Sequence, residues 1–167
     1  WHQVIRLANT NLLSPALWSE LCKYRLEVKL PAPIREYLQE IHRLNTARNR
    51  RLYEQTTEML TAFKSLGVAP ILLKGIAAIF AQTYRDPGAR MLTDIDVLVP
   101  RHQAQQCWDL LCTQGYSPVA DGGDYSGHHH LHPLTKAGEF AVIELHTDIL
   151  MPSRTGRLLG SSLSQAE

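Results

Sequence analysis

The stretch Met91-Leu-Thr-Asp-Ile-Asp-Val-Leu-Val-Pro100 places two aspartates at alternate positions of an apolar, β-like run. Alternate side chains of a pleated strand point to the same face, so Asp94 and Asp96 are predicted to lie side by side. Aspartate is disfavoured in strands, and unpaired buried charge is costly, so such a pair indicates a neutralising cation. Mg²⁺ is the first candidate, because it is held by one or two carboxylates with phosphates completing its shell. The alternative is a solvated edge strand or an acidic helix N-terminus.

Composition bounds the class of protein. The chain has 167 residues, of which 44% are hydrophobic and 20% are charged, and its formal net charge is +1. These values are typical of one soluble globular domain, and they give no global basic field that would favour nucleic acid. There is no signal-peptide pattern and no apolar stretch of about 18 residues, so no membrane association is expected.

The three cysteines, Cys22, Cys107 and Cys112, are widely spaced. This spacing predicts neither a disulfide framework nor a zinc clip, and it favours a reducing compartment. The cytoplasm is therefore the expected location. The chain begins at Trp1 without a methionine and ends in a polar string, which we interpret as a truncated product with a missing C-terminal part.

The order of elements predicts an α+β protein. The first third is helical in rhythm, and Ser14-Pro15 predicts a helix start with Ser14 at the N-cap and Pro15 at the first position. A long amphipathic helix follows Pro31-Ala-Pro33 and ends at Gly67. The remaining predicted elements are a strand at 68–73, a helix at 76–84, a loop at 85–90, the Asp94 strand, a helix at 103–114 closed by Gly115, a short strand at 116–120, a loop at 121–127, and a hairpin with arms at 128–134 and 139–150.

Three features of this order form a set. Lys74-Gly75 lies at a strand end and helix start, where backbone N–H groups and a cation can meet phosphate. The aspartate pair follows on the next strand, and Glu144 interrupts a later apolar strand. Three acids around two Mg²⁺ ions suit nucleotidyl transfer, in which one ion activates the attacking hydroxyl and the other neutralises the leaving pyrophosphate. Mn²⁺ is the alternative metal.

These residues resemble the uncharacterised nucleotidyltransferase family of the polymerase-β-like superfamily over about residues 68 to 148. The motifs that carry the resemblance are Leu72-Leu-Lys-Gly75, Tyr84-Arg-Asp-Pro-Gly88, Arg90, Asp94-Ile-Asp-Val-Leu-Val99, Gly115-Tyr116 and Ile143-Glu-Leu-His146.

The resemblance implies a polymerase-β-like nucleotidyltransferase core, a small mixed sheet with flanking helices, at 68–150. An N-terminal helical segment would occupy 1–67 and a polar tail 151–167. It implies that Asp94, Asp96 and Glu144 are the catalytic, metal-binding acids. It also implies that Lys74, Gly75 and Arg90 hold the triphosphate of an NTP, ATP among the candidates.

The chain departs from the superfamily pattern at two positions. Ile76 stands where the superfamily has serine, so a hydroxyl contact to the triphosphate is lacking unless Lys74 or Arg90 compensates. Thr147 follows the Glu-Leu-His tripeptide where this family has an aromatic residue. The segment from Gly75 to Asp94 is also longer than in the superfamily, and the surplus loop at 85–90 is a candidate for substrate contacts.

The sequence is compatible with more than one role for Arg90 and for His146. Arg90 is either a phosphate clamp, because its guanidinium offers bidentate donors, or charge compensation for the aspartates. His146 lies two residues after Glu144 on the same face, where it could orient a carboxylate, bind phosphate or meet the acceptor. We assign it a supporting role beside the acids rather than that of a base.

The predicted function is Mg²⁺-dependent transfer of a nucleoside monophosphate from an NTP to an acceptor with release of pyrophosphate. The acceptor could be an RNA end, a small molecule, a sugar or a protein, and the sequence indicates neither it nor the oligomeric state. One alternative is a non-catalytic nucleotide- or partner-binding module of the same fold. A second is a zinc-dependent hydrolase built on the run from His128 to His132, whose alternate histidines would share a strand face.

Overall fold

Helices and a small mixed sheet build the protein, as the α+β prediction requires. The computed structural model describes residues 1–120, 128 and 130–149. The helices of this part are α1 (His2–Thr10), α2 (Ser14–Lys23), α3 (Ala32–Ser65), α4 (Lys74–Phe80) and α5 (Ala104–Thr113), with short 3₁₀ helices at Glu27–Lys29 and Arg101–Gln103. The strands are β1 (Ile71–Leu72), β2 (Asp94–Leu98), β3 (Ser117–Pro118), β4 (Leu134–Thr135) and β5 (Val142–His146).

The strands form one sheet in the order β1-β2-β5-β4-β3. Its centre is the parallel pair β2 and β5, in which Asp96 is the register partner of Glu144 and Leu98 that of His146. The outer strands pair antiparallel. The sheet therefore brings together two five-residue segments that are far apart in the sequence.

The central strands alternate as the sequence predicts. Ile95 and Val97 of β2 and Ile143 and Leu145 of β5 are at most 1% exposed, because they point into the hydrophobic core. The intervening residues, Asp96 and Glu144 among them, share the opposite face. One face of the central ladder is thus apolar, and the other carries the acids.

The described residues cluster into two compact units that do not follow the chain in order. The first comprises Trp1–Gln55 and Gly75–Thr93, and the second comprises Thr56–Lys74 and the described residues from Asp94 onward. The core of the first unit includes Leu38, Leu52, Ile76 and Leu92, whereas Met59, Phe63, Cys107 and Leu111 belong to the core around the sheet. Helix α3 contributes residues to both units. The predicted division at residues 67 and 150 stays a prediction.

Most predicted elements are present, with shorter strands. The long helix ends where predicted, and Gly67 behind it has φ +72°; Gly115 likewise closes α5 with φ +90°, a backbone region that glycine occupies without strain. The predicted strand at 68–73 is reduced to the two residues of β1, and the helix after it begins at Lys74 rather than Ile76.

The predicted N-cap role of Ser14 is wrong. Ser14 is already the first residue of α2, and its hydroxyl donates to Asn9 Oδ1 at 2.5 Å instead of accepting from the helix backbone. The predicted hairpin is confirmed as the antiparallel pair β4 and β5, extended by a bridge between His130 and His146. The predicted loop at 121–127 and tail at 151–167 lie outside the described residues.

In the part of the chain that the structure describes, no helix combines the length and apolar character needed to cross a membrane.

Gly88 tests the packing of the 85–90 loop against α3. A Cβ built on Gly88 would collide with Thr46 Oγ1 and lie 2.6 Å from His42 Nε2. We expect Gly88→Ala to lower the free energy of unfolding by about 1–3 kcal/mol, because overpacking forces neighbours out of place. Urea denaturation measures this change. The double variant Gly88→Ala/Thr46→Ala should recover part of the loss, and a Gly88→Ala protein as stable as wild type would contradict the packing described.

Candidate active site

The acids meet at the centre of the sheet. Parallel pairing of β2 with β5 places the Asp96 and Glu144 side chains next to each other on one face, and His146 ends β5 on that same face. The strand geometry therefore assembles two carboxylates and one imidazole from segments that the sequence separates by about fifty residues.

Asp96 is the most enclosed of these groups, with 1% of its surface exposed. Two cationic groups hold one of its oxygens: Lys74 Nζ donates to Oδ1 at 2.5 Å, and His146 Nε2 donates to the same Oδ1 at 2.7 Å. The carboxylate is buried only because these partners neutralise it. Asp96 is thus the hub of the site.

Lys74 reaches Asp96 from a special backbone conformation. Its φ is +49°, in the left-handed region that residues other than glycine rarely adopt. The preceding residue, Leu73, donates its N–H to the Asp96 carbonyl oxygen at 2.9 Å, which ties the turn to β2. Lys74, which follows the apolar strand β1, thus finds its anionic partner in Asp96.

The charges shift one another's proton affinity. Hydrogen bonding to Asp96, and next the interaction with Glu144, raise the pKa of His146 from 6.5 to about 9, so the ring is an imidazolium at neutral pH. Burial by itself would raise the pKa of Asp96, but the bonds from His146 and Lys74 outweigh it and hold the pKa below 3.8. His146 likewise lowers the pKa of Glu144, whose Oε2 lies 3.6 Å from Nε2.

Asp96, Glu144 and His146 form a group that could hold a metal ion. One ligand atom from each lies within 4.8 Å of the others, and two of the three residues are buried. Asp94 shares their face of the sheet and is half-buried, but it is not a member of this group. Burial by itself would lower the pKa of Lys74, but the bond to Asp96 and the charges of Asp96, Glu144 and Asp94 together outweigh it and raise the pKa.

Gly75 and Arg90 lie together in the first unit. A Cβ on Gly75 would collide with Leu92 Cδ2 and lie 3.3 Å from Arg90 Nε, so only glycine fits. Ile76 is 1% exposed and belongs to the core, which explains physically why this position carries no hydroxyl for a ligand. Among the described residues, the Arg90 guanidinium makes no hydrogen bond or ion pair, and its contact is the Tyr84 ring, 5.9 Å away.

The described histidines of the run at 128–132 do not join the metal-competent group. His130 lies edge-on to His146, with ring centroids 5.4 Å apart, and its Nδ1 is 3.0 Å from the Leu131 carbonyl oxygen. Of the described residues, the group contains Asp96, Glu144 and His146 alone. His129 lies outside the described residues. The zinc alternative therefore gains no support from this part of the chain.

Sequence reasoning paired His146 with Glu144 and missed its closer contact with Asp96. The sequence shows that Glu144 and His146 alternate along one strand, but it does not show that β2 lies beside that strand. The available signal was one acid in the middle of each of two apolar segments, Asp96 in the segment of β2 and Glu144 in that of β5.

The mixed α+β fold is consistent with one class of protein, the nucleotidyltransferases. The family model described as "Uncharacterised nucleotidyltransferase" matches residues 1–166, so the chain belongs to that family. The match extends well beyond the core motifs and includes the N-terminal helices. No curated protein and no solved structure matches the chain significantly.

The titration of His146 tests the site in metal-free protein. We expect its ring, followed by NMR in the presence of EDTA, to titrate near pH 9. Asp96→Asn should move the midpoint further toward 6.5 than Glu144→Gln does, because Asp96 makes the shorter contact. The reverse order would contradict the geometry.

The same shift sets the pH dependence of stability. The folded protein binds the His146 proton more tightly than the unfolded chain does, so the ion pair's contribution is complete below pH 6.5 and is lost as pH rises through about 9. Denaturant unfolding of metal-free protein between pH 6 and 10 measures this loss. We expect it to be smaller in His146→Gln.

Proposed function

We propose that the protein transfers a nucleoside monophosphate from an NTP to a hydroxyl-bearing acceptor, with release of pyrophosphate and with Mg²⁺ as the metal. The observation that carries the proposal is the register pair Asp96 and Glu144, two carboxylates side by side on parallel strands with His146 next to them. Membership of the nucleotidyltransferase family supports the reaction class.

The donor set fits a divalent cation. Carboxylate oxygens are the ligands that Mg²⁺ prefers, while an imidazole nitrogen is more typical of transition metals, so Mn²⁺ is the alternative. We assign two metal ions to Asp96 and Glu144, with Asp94 as the third acid. When bound, the metal would activate the acceptor hydroxyl and neutralise phosphate charge.

His146 and Lys74 supply positive charge at the same acids. The imidazolium and the ammonium already neutralise Asp96 in the arrangement described above. A bound cation would take over this role and release Lys74, whose side chain is 57% exposed, toward a phosphate oxygen. His146 would remain beside the acids and keep Asp96 and Glu144 oriented.

Lys74, Gly75 and Arg90 are proposed to bind the triphosphate. Gly75 lets the backbone approach closely, and the guanidinium of Arg90 has donors that no described side chain or backbone group occupies. We assign the phosphate contacts to these residues because a serine hydroxyl is absent at position 76. The acceptor has no assigned contact. We also keep the cytoplasm as the proposed location, on the strength of three free cysteines.

A second candidate is a nucleotide-binding module of the same fold without catalysis. The observation that favours it is the buried Ile76, which removes a group that contacts the triphosphate in the wider superfamily. Magnesium-dependent NTP binding without pyrophosphate release would identify this second function.

The decisive test is Asp96→Asn, which removes the charge while keeping the volume. Each NTP is incubated with Mg²⁺ and candidate acceptors, and transfer is read as pyrophosphate release and as a mass shift of one nucleoside monophosphate. We expect at least about a hundredfold loss of turnover, because a metal ligand is lost. The matched control is Asp109→Asn on α5, an exposed aspartate that accepts from Gln105 and should leave turnover unchanged. Equal turnover of Asp96→Asn and wild type would overturn the assignment.

A further inference from the structure

Helix α3 holds the 85–90 loop through side chains on successive turns. Asn45 Nδ2 donates to the carbonyl oxygens of Gly88, at 2.7 Å, and Arg90, at 2.9 Å. Asn49 Nδ2 donates to the carbonyl oxygens of Pro87, at 2.6 Å, and again Arg90, at 2.7 Å. Two amide groups one helical turn apart therefore converge on the Arg90 carbonyl.

The start of the loop is attached to the same helix. His42 Nε2 lies 2.8 Å from Asp86 Oδ2, and Asp86 Oδ1 accepts from the Gly88 N–H at 2.9 Å. Gly88 itself leaves no space for a Cβ against α3. The loop backbone from Asp86 to Arg90 is thus held at both ends.

Burying the two asparagines that hold the loop has an energetic cost. They are 3% and 2% exposed, and neither Oδ1 atom has a hydrogen-bond partner among the described residues. A buried acceptor without a partner normally destabilises a fold, so the favourable donors must offset this cost. Such an arrangement is better explained by a need for accurate loop geometry than by a gain in stability alone.

The Arg90 side chain contrasts with its backbone. The carbonyl accepts hydrogen bonds from two buried asparagines, whereas Arg90 as a whole is exposed and its guanidinium is unpaired among the described residues. Arg90 borders a cavity of about 430 Å³, which Tyr84, Ser19 and Glu20 also line, and the Glu20 carboxylate is paired with Lys23. A cation with a fixed base and open donors beside a cavity is suited to binding an anion.

We propose that Asn45 and Asn49 are positioning residues for Arg90: they fix the backbone from which the guanidinium meets the triphosphate. This inference rests on the part of the proposed function in which Arg90 binds the nucleotide. It adds a role for α3, a helix to which the sequence patterns assigned no functional residue. The signal was present as two asparagines spaced four apart on an otherwise amphipathic helix.

A double-mutant cycle separates positioning from a purely structural role. The affinity of each NTP with Mg²⁺ is measured by calorimetry for wild type, Asn45→Ala, Asn49→Ala, Arg90→Ala and the two double variants. We expect Arg90→Ala to weaken binding about ten- to a hundredfold, because charge-assisted bonds to phosphate are lost. Each asparagine variant should weaken it about three- to tenfold alone, but less than about twofold when Arg90 is already alanine.

Two measurements guard against general destabilisation. The control variant is Met59→Val, which trims a buried side chain further along α3 and should leave nucleotide affinity unchanged at a comparable loss of stability. Hydrogen exchange of the 86–91 amides should accelerate in the asparagine variants and not in the control. If an alanine variant does not fold, Asn45→Ser or Asn49→Ser, which keeps a hydroxyl donor, takes its place in the cycle.

The outcomes discriminate between the two proposals. Equal losses from the asparagine variants with and without Arg90, or no loss at all, would overturn the positioning role while leaving the proposed function intact. Non-additive, Arg90-dependent binding without any nucleotidyl transfer would overturn the proposed reaction and support the positioning role. A wild-type protein that binds none of the NTPs would overturn both.

Discussion

The structure of the sheet depends on neutralising one buried carboxylate, that of Asp96. Removing an aspartate from water in the middle of an apolar sheet is favourable only when cations accompany it. Lys74 and His146 supply them on the same oxygen, one from the turn after β1 and one from the end of β5. The turn after β1 and the end of β5 thus meet at a single carboxylate.

The same arrangement would allow one cation at Asp96 to be exchanged for another. A carboxylate bonded to an exposed ammonium is stable, yet a stronger cation can replace the lysine without leaving the charge unpaired. Glu144 is more accessible than Asp96, with 24% of its side chain exposed, so the group opens to solvent on one side. In the proposed reaction, this opening is where metal and triphosphate would enter.

Arg90 shows the opposite arrangement to Lys74. The Lys74 ammonium is bonded to Asp96, an acid of the sheet. The Arg90 guanidinium has no partner among the described residues, while the Arg90 carbonyl oxygen accepts hydrogen bonds from two asparagines. Backbone hydrogen bonds cost a loop its freedom but leave the side chain available. The buried Oδ1 atoms of Asn45 and Asn49, which have no hydrogen-bond partner among the described residues, indicate that α3 holds this loop at an energetic cost.

The sequence by itself determined the features that depend on local periodicity and backbone sterics. The alternation of Asp94, Ile95 and Asp96, the length of α3 and the glycines that end helices could all be read from residue spacing, because a strand or helix repeats every two or 3.6 residues. The resemblance in the motifs identified the family, which the match over residues 1–166 shows. Only the tertiary structure decided which strands are neighbours, that His146 bonds Asp96, and that two asparagines hold the Arg90 loop. These contacts join segments about forty to fifty residues apart, and their choice depends on how the whole sheet and its helices bury apolar surface, which no local pattern records.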